Sequence, residues 1–535
     1  MTRRNHNHNW DAAVVVNEIQ LHRQSLRAAA DTEVCRRSVA SNIVPNNYRD
    51  SIGDDEYVAR VRRYAPSSLV PLVATAAAQY ATPGSWEKSP WMKFTPWALA
   101  DIARVSLISG NEFKSAATVD DLLRCCAAYV AVNDPELASN APGSLTGFML
   151  RITSEQLSYE QSPFHVMGRT MALFEQTQPA PGKALKVLRP GWDTELLGCS
   201  LSQYVGTGFI IHVAATKNSG RFLADWLDRP ELASLTTALP PELMATITVR
   251  NFVGSVDWFK SLREESLSDP YRRFSFNPLL AKPVVAEIVA EYLIPVPAQL
   301  FRKVSPLGLY YAGISQWGNV FAEDVGELFE QYVGRQLQQI SDATVHAEIT
   351  YGKDSKRSVD WIVVCQDAVI LVEVKSVRPT DDVRLGKPNA VDEFRRMLGH
   401  AFKQLDTTNE LIASQHPQFS HIPVDLPRVG LVVTMEPFEI ANVKPLLDFH
   451  EVEPPIPAHV CASIDLELLV TLQDKGVSTF LTELLTDQTK LGHRISTALK
   501  DHTLGRNTVL DEAWASYEWA PLNWTDQVDG ERRGG

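Results

Sequence analysis

SVDWIVV (358–364) and AVILVEVKS (368–376) are two short runs dominated by Val, Ile and Leu, separated by only Cys365, Gln366 and Asp367. β-branched and aromatic residues at this density favour strands, and so short a connection favours an antiparallel hairpin in which Val364 faces Val369. Carrying that register outward puts Asp360 opposite Glu373. Cross-strand partners have Cβ atoms about 4.5 to 5.5 Å apart, close enough for two carboxylates to share one cation and repulsive without one. Lys375 lies two residues beyond Glu373, and side chains on a strand alternate, so it projects to the same side. WIVV, VILV and Val374 read as the core that backs these charges.

Upstream, FAEDVGELFEQYVGRQLQQI (321–340) has the period of an amphipathic helix. At about 100° per residue its apolar stripe runs through Val325, Leu328, Phe329, Tyr332, Val333 and Leu337. Glu330 falls at the border of that stripe and Glu327 near the opposite side, so Glu330 is the expected fourth member of the site, with Glu327 as the fallback. Downstream, residues 391–413 read as a second helix with Phe394, Leu398, Ala401, Phe402 and Leu405 inward, Gln404 on the border and Lys403 outward. The strand RVGLVVT (428–434) follows. Helix, about three strands, helix, strand is the order of a compact α/β domain with a mixed central sheet.

Two carboxylates and an ammonium at the end of such a sheet suit phosphodiester hydrolysis. That reaction needs an activated water, neutralisation of charge on the phosphoryl oxygens and a stabilised leaving alkoxide. A hard cation on oxygen ligands serves all three, and Mg²⁺ usually takes only one or two protein carboxylates. Asp360 and Glu373 are the expected ligands, the Val374 carbonyl and Glu330 further ones, and Lys375 the group that orients water or stabilises the transition state. Gln404 can touch the site or a phosphate. Lys353, Lys356 and Arg357 before the hairpin, and Arg378, Arg384 and Lys387 after it, are candidate phosphate contacts, with a solvated loop as the plain alternative for each. His346 and His400 lack metal-ligand spacing and read as packing or surface residues.

These residues resemble the PD-(D/E)xK, or restriction-endonuclease-like, nucleases. GELFEQYVGRQL resembles that fold's first helix with its acid, SVDWIVV carries the aspartate, VEVKS is the E-x-K signature, and HAFKQL followed by RVGLVVT resembles the helix and strand that complete the core. The likeness covers about residues 320–440 and is nearest to Mrr-type and other defence or repair nucleases. Val359 stands where many members have proline. The resemblance implies a Mg²⁺-dependent nuclease, with Mn²⁺ as a substitute metal, acting on DNA in a restriction or antiviral defence system. An RNA-directed nuclease, or a binding scaffold on a catalytically idle nuclease fold, are the competing readings.

The remaining chain is less specific. Its 535 residues exceed one ordinary core, and 44% hydrophobic with 21% charged residues describe a folded protein. A net charge of −13 argues against a globally basic surface, although ten Lys or Arg meet eight Asp or Glu between 353 and 403. No apolar run is long enough for a bilayer and the start, MTRRNHNHNW, is polar, so a soluble cytoplasmic protein is expected. The six cysteines show no metal or disulfide spacing. VVVNEIQLHRQSLRAAA, DDLLRCCAAYVAV, TELLGCSLSQYVGTGFIIHVAAT and KPVVAEIVAEYL all read as helices, and Trp86, Trp91 and Trp97 as core. The expected division is a mainly helical recognition or regulatory region over 1–300, a hinge at EYLIPVPAQLF, the α/β domain over 301–470, and a carboxy-terminal helix, STFLTELLTDQTKLGHRISTALK, with a Trp-bearing tail over 471–535. The helical region is the expected contact for a homo-oligomer or partner subunit.

Overall fold

In the computed structural model of the chain the described residues are 51–80, 95–136, 144–156, 163–228, 232–376, 384–387, 390–442, 454, 456–487 and 492–520. The expected helix VVVNEIQLHRQSLRAAA and the residues Cys35, Trp86, Trp91, Arg378 and Trp524 lie outside them. The chain forms two compact units, neither continuous in sequence: Met1–Asn133 with Asp193–Val304 and Ala515–Gly535, and Asp134–Trp192 with Ser305–Trp514. Residues 134–192, amino-terminal in sequence, therefore belong to the same unit as the hairpin.

The first unit is mostly helical. Its helix Val119–Val130, which takes up most of the DDLLRCCAAYVAV stretch, starts on a capping box in which Thr118 and Asp121 satisfy each other's backbone amides. TELLGCSLSQYVGTGFIIHVAAT is two helices, Trp192–Leu197 and Leu201–Lys217, and not one. Gly198 takes a left-handed φ of 78° and Ser200 caps the second helix, a break that outweighs the continuous apolar period. KPVVAEIVAEYL also departs from expectation. Val284–Val285 and Tyr292–Leu293 are antiparallel strands in a small four-stranded sheet, with Glu287 at a positive φ in the connection. Here β-branched residues and the turn override the helical spacing. Trp97 is half-buried, whereas Trp519 is buried and donates its indole N–H to the Ser202 carbonyl at 2.8 Å.

The second unit holds the mixed sheet. Its elements, in chain order, are α1 (Ser144–Gln156), α2 (Pro163–Met171), α3 (Pro306–Trp317), α4 (Asn319–Leu337), β1 (Thr344–Ala347), β2 (Thr350–Tyr351), β3 (Lys356–Arg357), β4 (Trp361–Val364), β5 (Val369–Lys375), α5 (Ala390–Ala413), β6 (Arg428–Thr434), β7 (Ala458–Ala462), α6 (Ser463–Leu469) and α7 (Val477–Thr486). The five-stranded order is β7-β6-β5-β4-β1, with β2 and β3 as a separate ribbon. β1 and β5 both run antiparallel to β4, while β5, β6 and β7 are parallel. A parallel neighbour requires a crossover, which α5 supplies between β5 and β6.

One sheet face packs Ile362, Val369, Leu371, Val432 and Val460 against Leu398, Ala401, Phe402 and Leu405 of α5. α4 buries Val325, Leu328, Phe329, Tyr332, Val333 and Leu337, the stripe read from its sequence. A fully buried salt bridge ties α6 to α2 and α4: the Arg169 guanidinium grips Glu467 at 2.5 and 2.8 Å, and the Tyr332 hydroxyl donates to the same carboxylate at 2.7 Å. At the edge, the Asn442 side chain donates to the Val460 carbonyl and accepts from its amide, closing β7 as a neighbouring strand would.

The long carboxy-terminal helix is interrupted. α7 ends at Thr486, and Ile495–Ala498 with a 3₁₀ turn Leu499–Asp501 follows. No disulfide joins the described cysteines Cys125, Cys126, Cys199, Cys365 and Cys461. Among the described residues no helix is long and apolar enough to cross a membrane.

Candidate active site

β4 and β5 pair as Val364↔Val369, Ile362↔Leu371 and Trp361↔Val372. Asp360 is the next residue outward and Glu373 its opposite number. The hairpin is fixed at both ends. At its turn, Ser478 and Thr479 of α7 donate to the Asp367 carboxylate, the latter at 2.6 Å. At its open end the Val359 amide donates to Thr408 of α5 at 3.0 Å. Asp360 is held in turn by the Val374 amide, which donates to its Oδ2 at 2.6 Å.

Glu373 is 3% exposed. Its Oε1 accepts from the Lys375 ammonium at 2.5 Å, and its Oε2 is buried without a hydrogen-bond partner. Burial first, then the negative charge of Asp360, raises the Glu373 pKa, and burial raises that of Asp360 against the opposing Val374 amide and Lys375. An unpartnered oxygen on a buried, charge-crowded acid is costly unless a proton or cation meets it.

α4 reaches the same place. Gly334 lies against the Trp361 ring, where any side chain would overlap it, and the Trp361 indole N–H donates to the Glu330 carbonyl at 3.0 Å. That docking sets Glu330 beside the residue preceding Trp361. Burial, then Asp360, pushes the Glu330 pKa up to about 7. Glu327 instead accepts from the Ala180 amide at 2.8 Å and from Lys183 at 2.5 Å.

Glu348 is an acid that the sequence reading missed. Ala347 of β1 pairs with Trp361, so Glu348 follows one step outward on the opposite side of Asp360 from Glu373. It is half-buried, forms an ion pair with Arg357 at 3.4 Å, and has its pKa raised by burial and by Asp360. The signal was the strand TVHA, too short and too little alternating to stand out alone.

The other candidates spread more widely. Gln404 is half-buried on α5 with no side-chain partner among the described residues. Lys353, Lys356 and Arg357 are exposed on the β2–β3 ribbon and its turn. Leu385 and Gly386, farther along the chain after β5, accept at 2.9 and 3.0 Å from Arg151 of α1, itself paired with Asp134. His400 on α5 is exposed, and the charge of Lys375 lowers its pKa. His346 packs edge-on against His421.

The donors facing one another are hard oxygens, and the orphaned Glu373 Oε2 beside Asp360 fits a divalent cation of the Mg²⁺ type held by two carboxylates. Among the described residues no three His, Cys, Asp or Glu side chains are gathered in metal-holding geometry. Glu330 and Glu348 thus stand around the pair and do not complete a preformed cage. No protein-family model matches this chain, and neither a curated protein nor a solved structure does so.

Proposed function

We propose that the chain is a divalent-metal-dependent nuclease built on the PD-(D/E)xK plan, with DNA as substrate. The observation that carries this reading is Asp360 set opposite Glu373 on one hairpin, with Lys375 on the same face and a buried Glu373 oxygen lacking any partner. When bound, Mg²⁺ or Mn²⁺ would neutralise phosphoryl charge and furnish a nucleophilic water at neutral pH. Asp360 and Glu373 would hold it, and the Val374 amide keeps Asp360 aimed. Lys375, released from Glu373 Oε1, orients the attacking water or meets the charge growing on phosphorus-bound oxygen. By likeness to the family we assign the protein to a cytoplasmic restriction or antiviral defence system, with the helical first unit as the reader of a trigger or partner.

Incubation of the protein with duplex DNA, single-stranded DNA and RNA, in Mg²⁺, Mn²⁺ or EDTA, tests the reading. Metal-dependent cleavage should fall by roughly a hundredfold or more in Asp360→Asn, Glu373→Gln and Lys375→Met. Variants cutting as fast as the parent would remove the assigned centre, and cleavage of RNA alone would replace DNA as the substrate class.

A further inference from the structure

Residues 177–190 run antiparallel along α4 as a strap. Arg335 donates to the Thr177 hydroxyl at 2.9 Å, Glu327 accepts from the Ala180 amide, and the buried Asp324 carboxylate accepts from the amides of Lys186, Val187 and Leu188 at 2.7 to 3.0 Å. These anchors use backbone amides and one threonine hydroxyl. They leave the strap's Lys183 side chain out of the fastening. Lys183 nevertheless points at α4, with its ammonium 2.5 Å from Glu327 Oε2 and its side chain 41% exposed.

We infer that Lys183 is a substrate-binding residue of the candidate active site, delivered by the strap to grip a backbone phosphate of the nucleic acid. The inference rests on the nuclease reading and extends it to a residue far from the hairpin in sequence. Glu327 sits one helical turn before Glu330, so a lysine parked on Glu327 stands at the mouth of the acidic group. The Lys183 ammonium lies close enough to the Glu330, Glu348 and Asp360 carboxylates to attract all three. A polyanion approaching four carboxylates needs cations on that side, and the Lys183 ammonium and the Arg357 guanidinium supply them. An ion pair whose lysine is this open to solvent stabilises the fold only weakly, so exchanging Glu327 for a phosphate oxygen costs the fold little.

The test measures binding of a fluorescein-labelled 24-base-pair DNA duplex to the full chain in EDTA and in Ca²⁺ over a salt series, for the parent, Lys183→Gln and Lys183→Arg. Lys183→Gln should weaken binding roughly five- to tenfold whatever the duplex sequence, and reduce the slope of log affinity against log salt by about 1. Lys183→Arg should restore most of both, and all three proteins should melt alike. A Lys183→Gln protein with parental affinity and salt slope overturns the inference. Asp360→Asn separates this failure from failure of the nuclease reading: parental cleavage by Asp360→Asn sinks the reading, whereas a dead Asp360→Asn beside an unaffected Lys183→Gln sinks only the role of Lys183. A parent that binds no duplex at all overturns the inference, and the nuclease reading falls with it if single-stranded DNA is not cleaved either.

Discussion

The indole of Trp361 donates to the main-chain carbonyl of Glu330 at 3.0 Å, over a helix surface kept bare by Gly334. One hydrogen bond thereby joins the strand that carries Asp360 to the helix that carries Glu330, and the distance between the two acids is set by packing. Gly334→Ala forces a methyl into a buried ring and should cost about 1 to 3 kcal/mol in urea unfolding. Trp361→Phe keeps most of the packing and removes the bond, for about 1 kcal/mol. Both should impair cleavage beyond their effect on stability, because Glu330 moves. Full activity in a destabilised Gly334→Ala protein would show that the placement of Glu330 is immaterial.

The Arg169, Glu467 and Tyr332 cluster is the most sensitive point of the second unit. Arg169→Met strands a fully buried carboxylate and should destabilise by about 3 to 5 kcal/mol, whereas Arg169→Met with Glu467→Leu, which removes both charges, should recover much of that loss. Equal losses in the single and double variants would mean that packing volume, and not the orphaned charge, governs the site.

His459 on β7 is buried and accepts from Asn442 through Nε2, the tautomer this contact implies, so it folds neutral. Burial pushes its pKa down to about 4, although Asp465 draws it upward. A histidine whose folded pKa is depressed adds stability that is complete above its unfolded value near 6.5 and is lost as pH falls toward 4. The loss amounts to about 3 kcal/mol. Chemical denaturation of the parent and His459→Gln at pH 7.5 and pH 4.5 should show the parent losing more. Parallel losses would place the acid sensitivity elsewhere.

Legibility in the sequence followed the range of the interactions. The hairpin register and the buried stripe of α4 could be read because each depends on neighbours a few residues apart, where side-chain period and turn length suffice. KPVVAEIVAEYL misled because helical spacing and β-branched content coexist, and the pairing of Val285 with Leu293 decides between them. Glu348 was hidden because β1 gains its identity only from β4. Lys183 was beyond reach: 144 residues separate it from Glu327, and no local pattern links the two. The membership of residues 134–192 in the sheet-bearing unit is a long-range fact of the same kind.

Glu373→Gln separates the electrostatic cost of the site from its use. The buried carboxylate of the parent faces Asp360 and leaves Oε2 unpartnered, so a neutral amide of the same size relieves repulsion while keeping the volume. In EDTA the variant should melt at the parental temperature or a few degrees above it, since relief of even about 1 kcal/mol moves a domain of this size by about 2 to 4 °C. Adding millimolar Mg²⁺ or Mn²⁺ should raise the melting temperature of the parent and leave Glu373→Gln where it was, because a ligand that binds only the folded site stabilises in proportion to its occupancy. Asp360→Asn should lose the metal response in the same way. If the parent itself shows no metal-dependent shift while both variants gain stability in EDTA, the two acids are a strained pair with no cation to hold, and the idle-scaffold reading replaces the nuclease.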